Sequence, residues 1–347
     1  MPGAVSESGP IRALLYGFGR VNHGVMELAG TRPWLSVVGL IARSFRTAEG
    51  GHDGPQTVES DAATALSRTR PEVVIVATRS RMSDVMPQLR IAAASGARAV
   101  LCTAEELAWV DPVADDAIEL RALAREHGAA IVATGVNPGF VLDLWPLVLS
   151  GLAWDVASIH ARRVSDVSVF APDTRKRLGI DHTAESFQVG LDDGSVVGHL
   201  GFAESLRILG DRMGRPTDDI RITTEPVFAE RRYLLPDGVV EAGRTIGALQ
   251  RAEARVDGRP WITIELMVHA APHEAGVPPT DQIALEGRHR LRVTVEPGCG
   301  AILGTAAILV NSIPTALAAA PGLYRAGDLP VSAPWLGTGR PPMQRFG

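Results

Sequence analysis

Arg12-Ala-Leu-Leu-Tyr-Gly-Phe-Gly-Arg-Val-Asn22 is the stretch on which the fold turns. Its first five residues read as a short apolar strand. Gly17-Phe-Gly19 then reverses the chain, and the residues from Arg20 to about Ala29 read as a helix. At a first strand-to-helix turn, one glycine permits the tight bend and a second lets the backbone approach a pyrophosphate at the positive end of the helix. Gly17, Phe18, Gly19, Arg20 and Val21 are therefore candidate cofactor contacts. Asn22 stands where the full fingerprint has a third glycine, and a purely structural turn is the competing reading.

Outward from this turn, strand-like and helical stretches alternate. Leu35 to Ala42, Pro71-Glu-Val-Val-Ile-Val-Ala77, Ala99-Val-Leu-Cys102 and Ala129-Ala-Ile-Val-Ala133 read as further strands. Nearly unbroken apolar strands separated by helices predict a parallel sheet covered on both faces, a doubly wound Rossmann fold. From Asp143 the texture changes. Ser158-Ile-His-Ala-Arg-Arg-Val-Ser165 and Trp261-Ile-Thr-Ile-Glu-Leu-Met-Val268 alternate, which predicts a second α+β domain with an open sheet. A helix is expected over Gly201 to Met213 and another, apolar, over Leu303 to Leu317. The expected division is 1–142, a nucleotide-binding domain; 143–300, a substrate and dimerisation domain; and 301–347, a helix and surface tail. An uncovered apolar sheet face in the second part would pack in a two-fold dimer.

The bulk numbers set the limits. The 347 residues suffice for two cores, and a net charge of −5 without a basic, aromatic-interleaved stripe argues against a nucleic-acid partner. The apolar runs are strand-length, well short of the roughly 20 residues of a bilayer span. The first ten residues lack a basic and then apolar leader. Two cysteines, Cys102 and Cys299, cannot build a disulfide framework and fit a reducing cytoplasm. The nine histidines show no metal spacing, so no metal is expected.

Strand ends supply the remaining candidates. After the second strand come Arg43, Ser44 and Arg46, where an NAD-selective site carries an acid; cations and a hydroxyl suit the 2′-phosphate of NADP, with NAD possible and a solvated basic turn as the alternative. Thr78, Arg79 and Ser80 follow the third clear strand and line the expected crevice, although Ser80 equally suits a helix cap. Cys102-Thr-Ala-Glu-Glu-Leu107 puts Glu105 and Glu106 just past another strand end, the place for an acid or base. Thr103 to Glu106 also has capping-box spacing, so cap and catalyst both stand for Glu106. Cys102 reads as a buried hydrophobe rather than a nucleophile. In Thr134-Gly-Val-Asn-Pro-Gly-Phe140 the Asn137 amide either holds a carboxamide or substrate oxygen or closes an Asx turn. His199 reads as a capping or core histidine or as a pocket group.

Gly17-Phe-Gly, Cys102-Thr-Ala-Glu-Glu-Leu, Thr134-Gly-Val-Asn-Pro-Gly-Phe, Val197-Gly-His-Leu-Gly-Phe-Ala-Glu-Ser and Val310-Asn-Ser-Ile-Pro314, in this order over Arg12 to Pro330, resemble the 2,4-diaminopentanoate dehydrogenase family. That family includes the native amine dehydrogenases and is related to dihydrodipicolinate reductase. The resemblance implies NAD(P)-dependent interconversion of an amine with a ketone or aldehyde plus ammonia, by a Rossmann domain to which the C-terminal helix and tail of 301–347 return and a second domain that forms a homodimer. It favours Glu106 over Glu105 as the catalytic carboxylate. It implies Asn137 beside the nicotinamide, Asn311 on the cofactor side, and a pocket lined by His199, Thr305, Arg163, Phe170 and Pro172, which Trp145 or Trp109 would narrow. Phe170-Ala-Pro172 departs from the usual Phe-Gly-Pro. Two other readings compete: a dihydrodipicolinate-reductase-like C=N reductase, and a non-catalytic NADP-sensing dimer.

Overall fold

The computed structural model describes residues 9–42, 58–217 and 219–343. The chain opens with β1 (Ile11–Tyr16), α1 (Arg20–Gly30), β2 (Leu35–Ile41), β3 (Val58–Glu59), α2 (Ala62–Thr69), β4 (Val73–Val76), α3 (Met82–Ala94), β5 (Ala99–Cys102), a 3-10 turn (Glu105–Leu107), α4 (Asp115–His127) and β6 (Ala130–Ala133). It continues with α5 (Leu144–Ser150), β7 (Ser158–Asp166), α6 (Pro172–Arg177), α7 (Ala184–Asp193), α8 (Phe202–Arg212), β8 (Asp219–Phe228), β9 (Tyr233–Leu235) and β10 (Gly238–Val240). It closes with β11 (Thr245–Val256), β12 (Arg259–His269), β13 (Thr280–Glu286), β14 (Leu291–Val295), α9 (Ala301–Ala318) and β15 (Gly322–Tyr324). Two units result, Met1–Gly139 with Ile302–Gly347, and Phe140–Ala301. The divisions fall after 139 and after 301, where the sequence suggested 142 and 300.

The first unit is a parallel sheet in the order β15-β6-β5-β4-β1-β2-β3. Its strands are apolar on both faces because both faces are covered. Leu14, Val74, Val76, Val100 and Ile131 meet α2, α3 and α4, while Ala13, Leu15, Val73, Ile75, Leu101 and Val132 meet α1 and α9. Successive residues thus serve opposite cores, as the period of a strand requires. The direction of winding reverses between β1 and β4, so the ligand crevice of a doubly wound sheet lies at their carboxyl ends.

The C-terminal segment returns to the first unit, as the resemblance implied, and does more there than cover surface. Its β15 extends the sheet beside β6, and Arg340 forms an ion pair with buried Glu72 while its Nη1 donates to the Gly9 carbonyl. Trp34 Nε1 donates to the Trp335 carbonyl at 3.1 Å. Among the described residues, α9 is long and apolar enough to cross a membrane, but half of it is buried in the fold and its Leu309, Val310 and Ile313 lie in the core.

The second unit is built on a mixed sheet in the order β14-β13-β7-β12-β11-β8, with β7 and β12 parallel and the other pairs antiparallel. Cross-strand register puts Ile159, Ala161, Ala252, Ala254, Ile262, Ile264, Ile283 and Leu285 on one buried face. The opposite face is not the apolar surface anticipated. Glu265 sits at its centre, accepting from Arg251 and lying 3.0 Å from His160 Nε2 and 4.0 Å from Arg162 Nε. The register that aligns Arg251 with Glu265 and Glu265 with Arg162 joins strands far apart in sequence, so alternation alone could not reveal it.

Candidate active site

Parallel register aligns Tyr16 with Val76, Val76 with Cys102, and Cys102 with Ala133. The residues that follow each strand therefore meet along one edge of the sheet: Gly17 to Val21, Thr78 to Ser80, Glu105 and Glu106, and Asn137. Gly17 has φ +87°, and a Cβ there would lie 2.5 Å from Thr78 Cγ2. Only glycine supplies both that conformation and that space. Helix α1 then starts at Gly19 with no side-chain cap and no acidic residue in its first turn. A pyrophosphate fits such an end, where backbone donors and the helix dipole both favour an anion.

Asn22, in the third-glycine position, is fully buried and donates from Nδ2 to the carbonyls of Tyr16 (3.0 Å) and Gly17 (2.7 Å). Close helix packing is provided two residues later, where a Cβ on Gly24 would come 3.1 Å from Ala306 Cβ on α9. The departure from the fingerprint therefore leaves the turn anchored rather than merely tolerated.

Glu106 is the carboxylate of interest at the end of β5. The capping box expected from Thr103 does not form, because the segment is a 3-10 turn whose N-cap is Ala104. Instead Glu106 reaches a different helix. Its Oε2 accepts the Met82 N–H at the start of α3 at 2.7 Å, its own N–H donates to the Ser80 carbonyl at 3.2 Å, and Oε1 lies 3.7 Å from Arg81 Nη1. Its side chain is 31% exposed, so the carboxylate is fixed at one oxygen and within reach of solvent at the edge. Glu105 is also partly exposed in the same turn. Behind them, burial pushes the Cys102 thiol up to about 12, which keeps it a neutral core group.

The loop after β6 is clasped to α9. Buried Thr305 Oγ1 accepts the Val136 N–H at 3.3 Å, and the φ of +124° at Gly139 folds the loop onto Gly135, where any side chain would collide with backbone. Asn137 is partly buried, and among the described residues its Oδ1 has no hydrogen-bond partner; the same holds for Asn311 Oδ1 on α9. Orphaned amide acceptors fit a ligand that brings donors, such as a carboxamide or ribose hydroxyl. Thr78 donates to Gln88 Oε1 at 2.6 Å, and Arg79 is exposed. Arg43, Ser44 and Arg46 lie outside the described residues.

The other candidates belong to the second unit. Arg163 is 3% exposed on β7, with Nε 3.7 Å from Asp281 Oδ1 and Nη2 bonded to the Cys299 carbonyl. The Cys299 N–H returns to Asp281 Oδ2 at 2.6 Å. Phe170 and Pro172 lie on the path from β7 into α6, where Arg175 gathers the Ser168 and Phe170 carbonyls at 2.9 and 2.6 Å and pairs with Asp237. The His199 N–H donates to Gln250 Oε1 at 2.7 Å, and its ring packs edge-on against Phe202. Trp145 is half-buried in α5. Asp281, Arg175 and Gln250 were not singled out by the sequence; each supports its partner across strands or loops that only the fold brings together.

Residues 140–345 match the model of the 2,4-diaminopentanoate dehydrogenase C-terminal domain. The chain belongs to the 2,4-diaminopentanoate dehydrogenase family. It is an oxidoreductase of a family that acts on amine groups. It is 27% identical to the 2,4-diaminopentanoate dehydrogenase of Acetoanaerobium sticklandii, over 92% of this chain and 94% of that one. It is 26% identical to an amine dehydrogenase of Streptomyces virginiae, over 92% of this chain and 96% of that one. The solved amine dehydrogenase of Mycobacterium smegmatis shares the fold, with a TM-score of 0.81 at 22% identity over 95% of this chain and 98% of that one. The family resemblance in the sequence motifs thus holds, and the first unit is its nucleotide-binding Rossmann half.

Proposed function

We propose that this protein is an NADP(H)-preferring amine dehydrogenase that reversibly converts a ketone or aldehyde and ammonia into an amine, with Glu106 as the acid/base. The observation that carries the reading is the position of the Glu106 carboxylate: at the carboxyl edge of β5, in register with the Gly17 turn, anchored through one oxygen by Met82. The bound nicotinamide supplies hydride transfer to and from carbon. Glu106 supplies what that transfer needs from the protein. An amine must be neutral to release hydride and ammonia must be neutral to attack a carbonyl, so a carboxylate at this edge takes the proton and stabilises the cation that follows. Asn137, on the loop that Thr305 clasps, would hold the carboxamide or a substrate oxygen. Arg43, Ser44 and Arg46 would read the 2′-phosphate.

We propose further that His199, Arg163, Phe170, Pro172 and Trp145 line the amine pocket, and that the protein is a homodimer joined through the charged sheet face of the second unit. That face carries both signs of charge, which supports a self-complementary two-fold contact. Light scattering reads the dimer directly.

The experiment is NADPH oxidation with a panel of ketones and aldehydes, with and without ammonia. Turnover that needs both carbonyl and ammonia is expected. Reduction of preformed cyclic imines alone would instead establish a C=N reductase, and cofactor binding without any turnover would establish a sensor.

A further inference from the structure

In the fingerprint for this turn, the position of Asn22 belongs to glycine, and the usual expectation for a replacement there is a weakened site. The structure assigns Asn22 the opposite part: we infer that it is a positioning residue for dinucleotide binding, setting the peptide planes of the Gly17 turn through its side-chain amide. The inference rests on the nucleotide-binding half of the proposed function and on nothing about the amine.

The geometry is specific. Both hydrogens of Nδ2 are used, one on the Tyr16 carbonyl at 3.0 Å and one on the Gly17 carbonyl at 2.7 Å. Because both partners are acceptors, the amide can stand only this way round. The Gly17 N–H meanwhile donates to the Ile41 carbonyl of β2 at 2.8 Å, so Gly17 is held on both sides of its Cα. In a planar trans peptide the next N–H points opposite to the carbonyl. Drawing the Gly17 carbonyl toward α1 therefore turns the Phe18 N–H to the other side of the turn, away from Asn22. A glycine with φ +87° has many other conformations open to it, and two side-chain bonds restrict it to one. The turn is then ordered before the cofactor arrives, and binding need not order it.

Glycine at position 22 would complete the fingerprint in sequence and remove both bonds in structure. The usual close packing of the third glycine is not lost, since Gly24 provides it against Ala306. The two readings of this position therefore predict opposite results for one variant.

The test is titration of NADPH and of NADH into the wild type, Asn22→Gly, Asn22→Asp and Asn22→Ser by fluorescence, with thermal unfolding of each ligand-free protein. Asn22→Gly and Asn22→Asp should weaken both dinucleotides by about tenfold, the cost of ordering about one backbone residue on binding. The factor should be the same for NADPH and NADH, because the turn faces the pyrophosphate that they share. Asn22→Ser, with one donor in place of two, should fall between. Unchanged or tighter binding by Asn22→Gly overturns the inference, as does a fall in unfolding temperature with affinity retained, which is the mark of a merely structural residue. If Asn22→Gly does not fold, Asn22→Ser decides by the same criteria. Failure of the wild type to bind either dinucleotide would instead overturn the proposed function.

Discussion

Glu106 and Met82 are joined across 24 positions of sequence: the carboxylate at the end of β5 accepts the first free N–H of α3 at 2.7 Å. One group thereby serves as a cap for a neighbouring helix and presents a carboxyl oxygen at the sheet edge. The capping box that the Thr103 spacing allowed does not form, and the cap that Glu106 supplies to α3 uses one of its two oxygens, which leaves room for the acid/base role proposed for it.

Glu106→Gln separates the two tasks. The amide oxygen can still accept from Met82, so the unfolding temperature and NADPH affinity should hold, while reductive amination should fall by about a hundred- to ten-thousand-fold. Glu105→Gln should leave turnover near the wild-type rate. Steady-state kinetics on both variants check this, and a loss carried by Glu105→Gln alone would move the acid/base to that residue.

The role proposed for Arg43 is to read the 2′-phosphate of NADP. Arg43→Ala should weaken NADPH binding by about 1.5–3 kcal/mol, the contribution of a charged hydrogen bond, and leave NADH binding alone. Parallel titrations read the difference, and an equal loss for both dinucleotides would refute the assignment.

Asp281 tests the buried pair of the second unit. Its removal strands the Arg163 guanidinium at a site only 3% exposed and releases the Cys299 N–H. Asp281→Ala should cost about 3–5 kcal/mol in urea unfolding, as for one partner of a buried ion pair. A change below about 1 kcal/mol would mean that the guanidinium finds water or another acceptor.

His269 gives the fold a pH dependence. Burial holds its imidazole below the ordinary value near 6.5, against the opposing pull of Asp166, and its Nδ1 accepts the Ala271 N–H at 3.0 Å. The folded state therefore prefers the neutral ring. Its contribution is complete above the unfolded value and is lost as pH falls from about 6.5 through the folded one, where the unfolded chain binds the extra proton. Unfolding free energy should decline as pH falls through this window, and His269→Asn, which keeps an acceptor near Nδ1, should flatten the slope. An unchanged slope in that variant would assign the effect to another group.

The parts of the fold legible in the sequence are those set by local pattern. Val73 to Val76 and Ala99 to Cys102 are apolar at every position because both faces of their sheet are covered, and Gly17 marks its own turn. What escaped the sequence depends on partners far along the chain. Capping-box spacing at Thr103 presupposes a helix, and a single 3-10 turn follows instead. The charged sheet face depends on register between β7, β11 and β12. Gly322–Tyr324 is three residues long, and a stretch so short becomes a strand only because β6 offers it an edge.

The first unit is discontinuous, and this fixes the order in which it can be completed during synthesis. When Gly139 has left the ribosome, β6 has an unpaired edge, and Ala13, Leu15, Ile75 and Leu101 still lack the α9 residues Ala306, Leu309 and Ile313 that cover them. The second unit, one continuous stretch, has all its strands before α9 emerges. The nucleotide-binding half is therefore begun first and finished last. Until α9 and β15 arrive, the nascent chain carries an open strand edge and a bare apolar face, the two features that call for a chaperone.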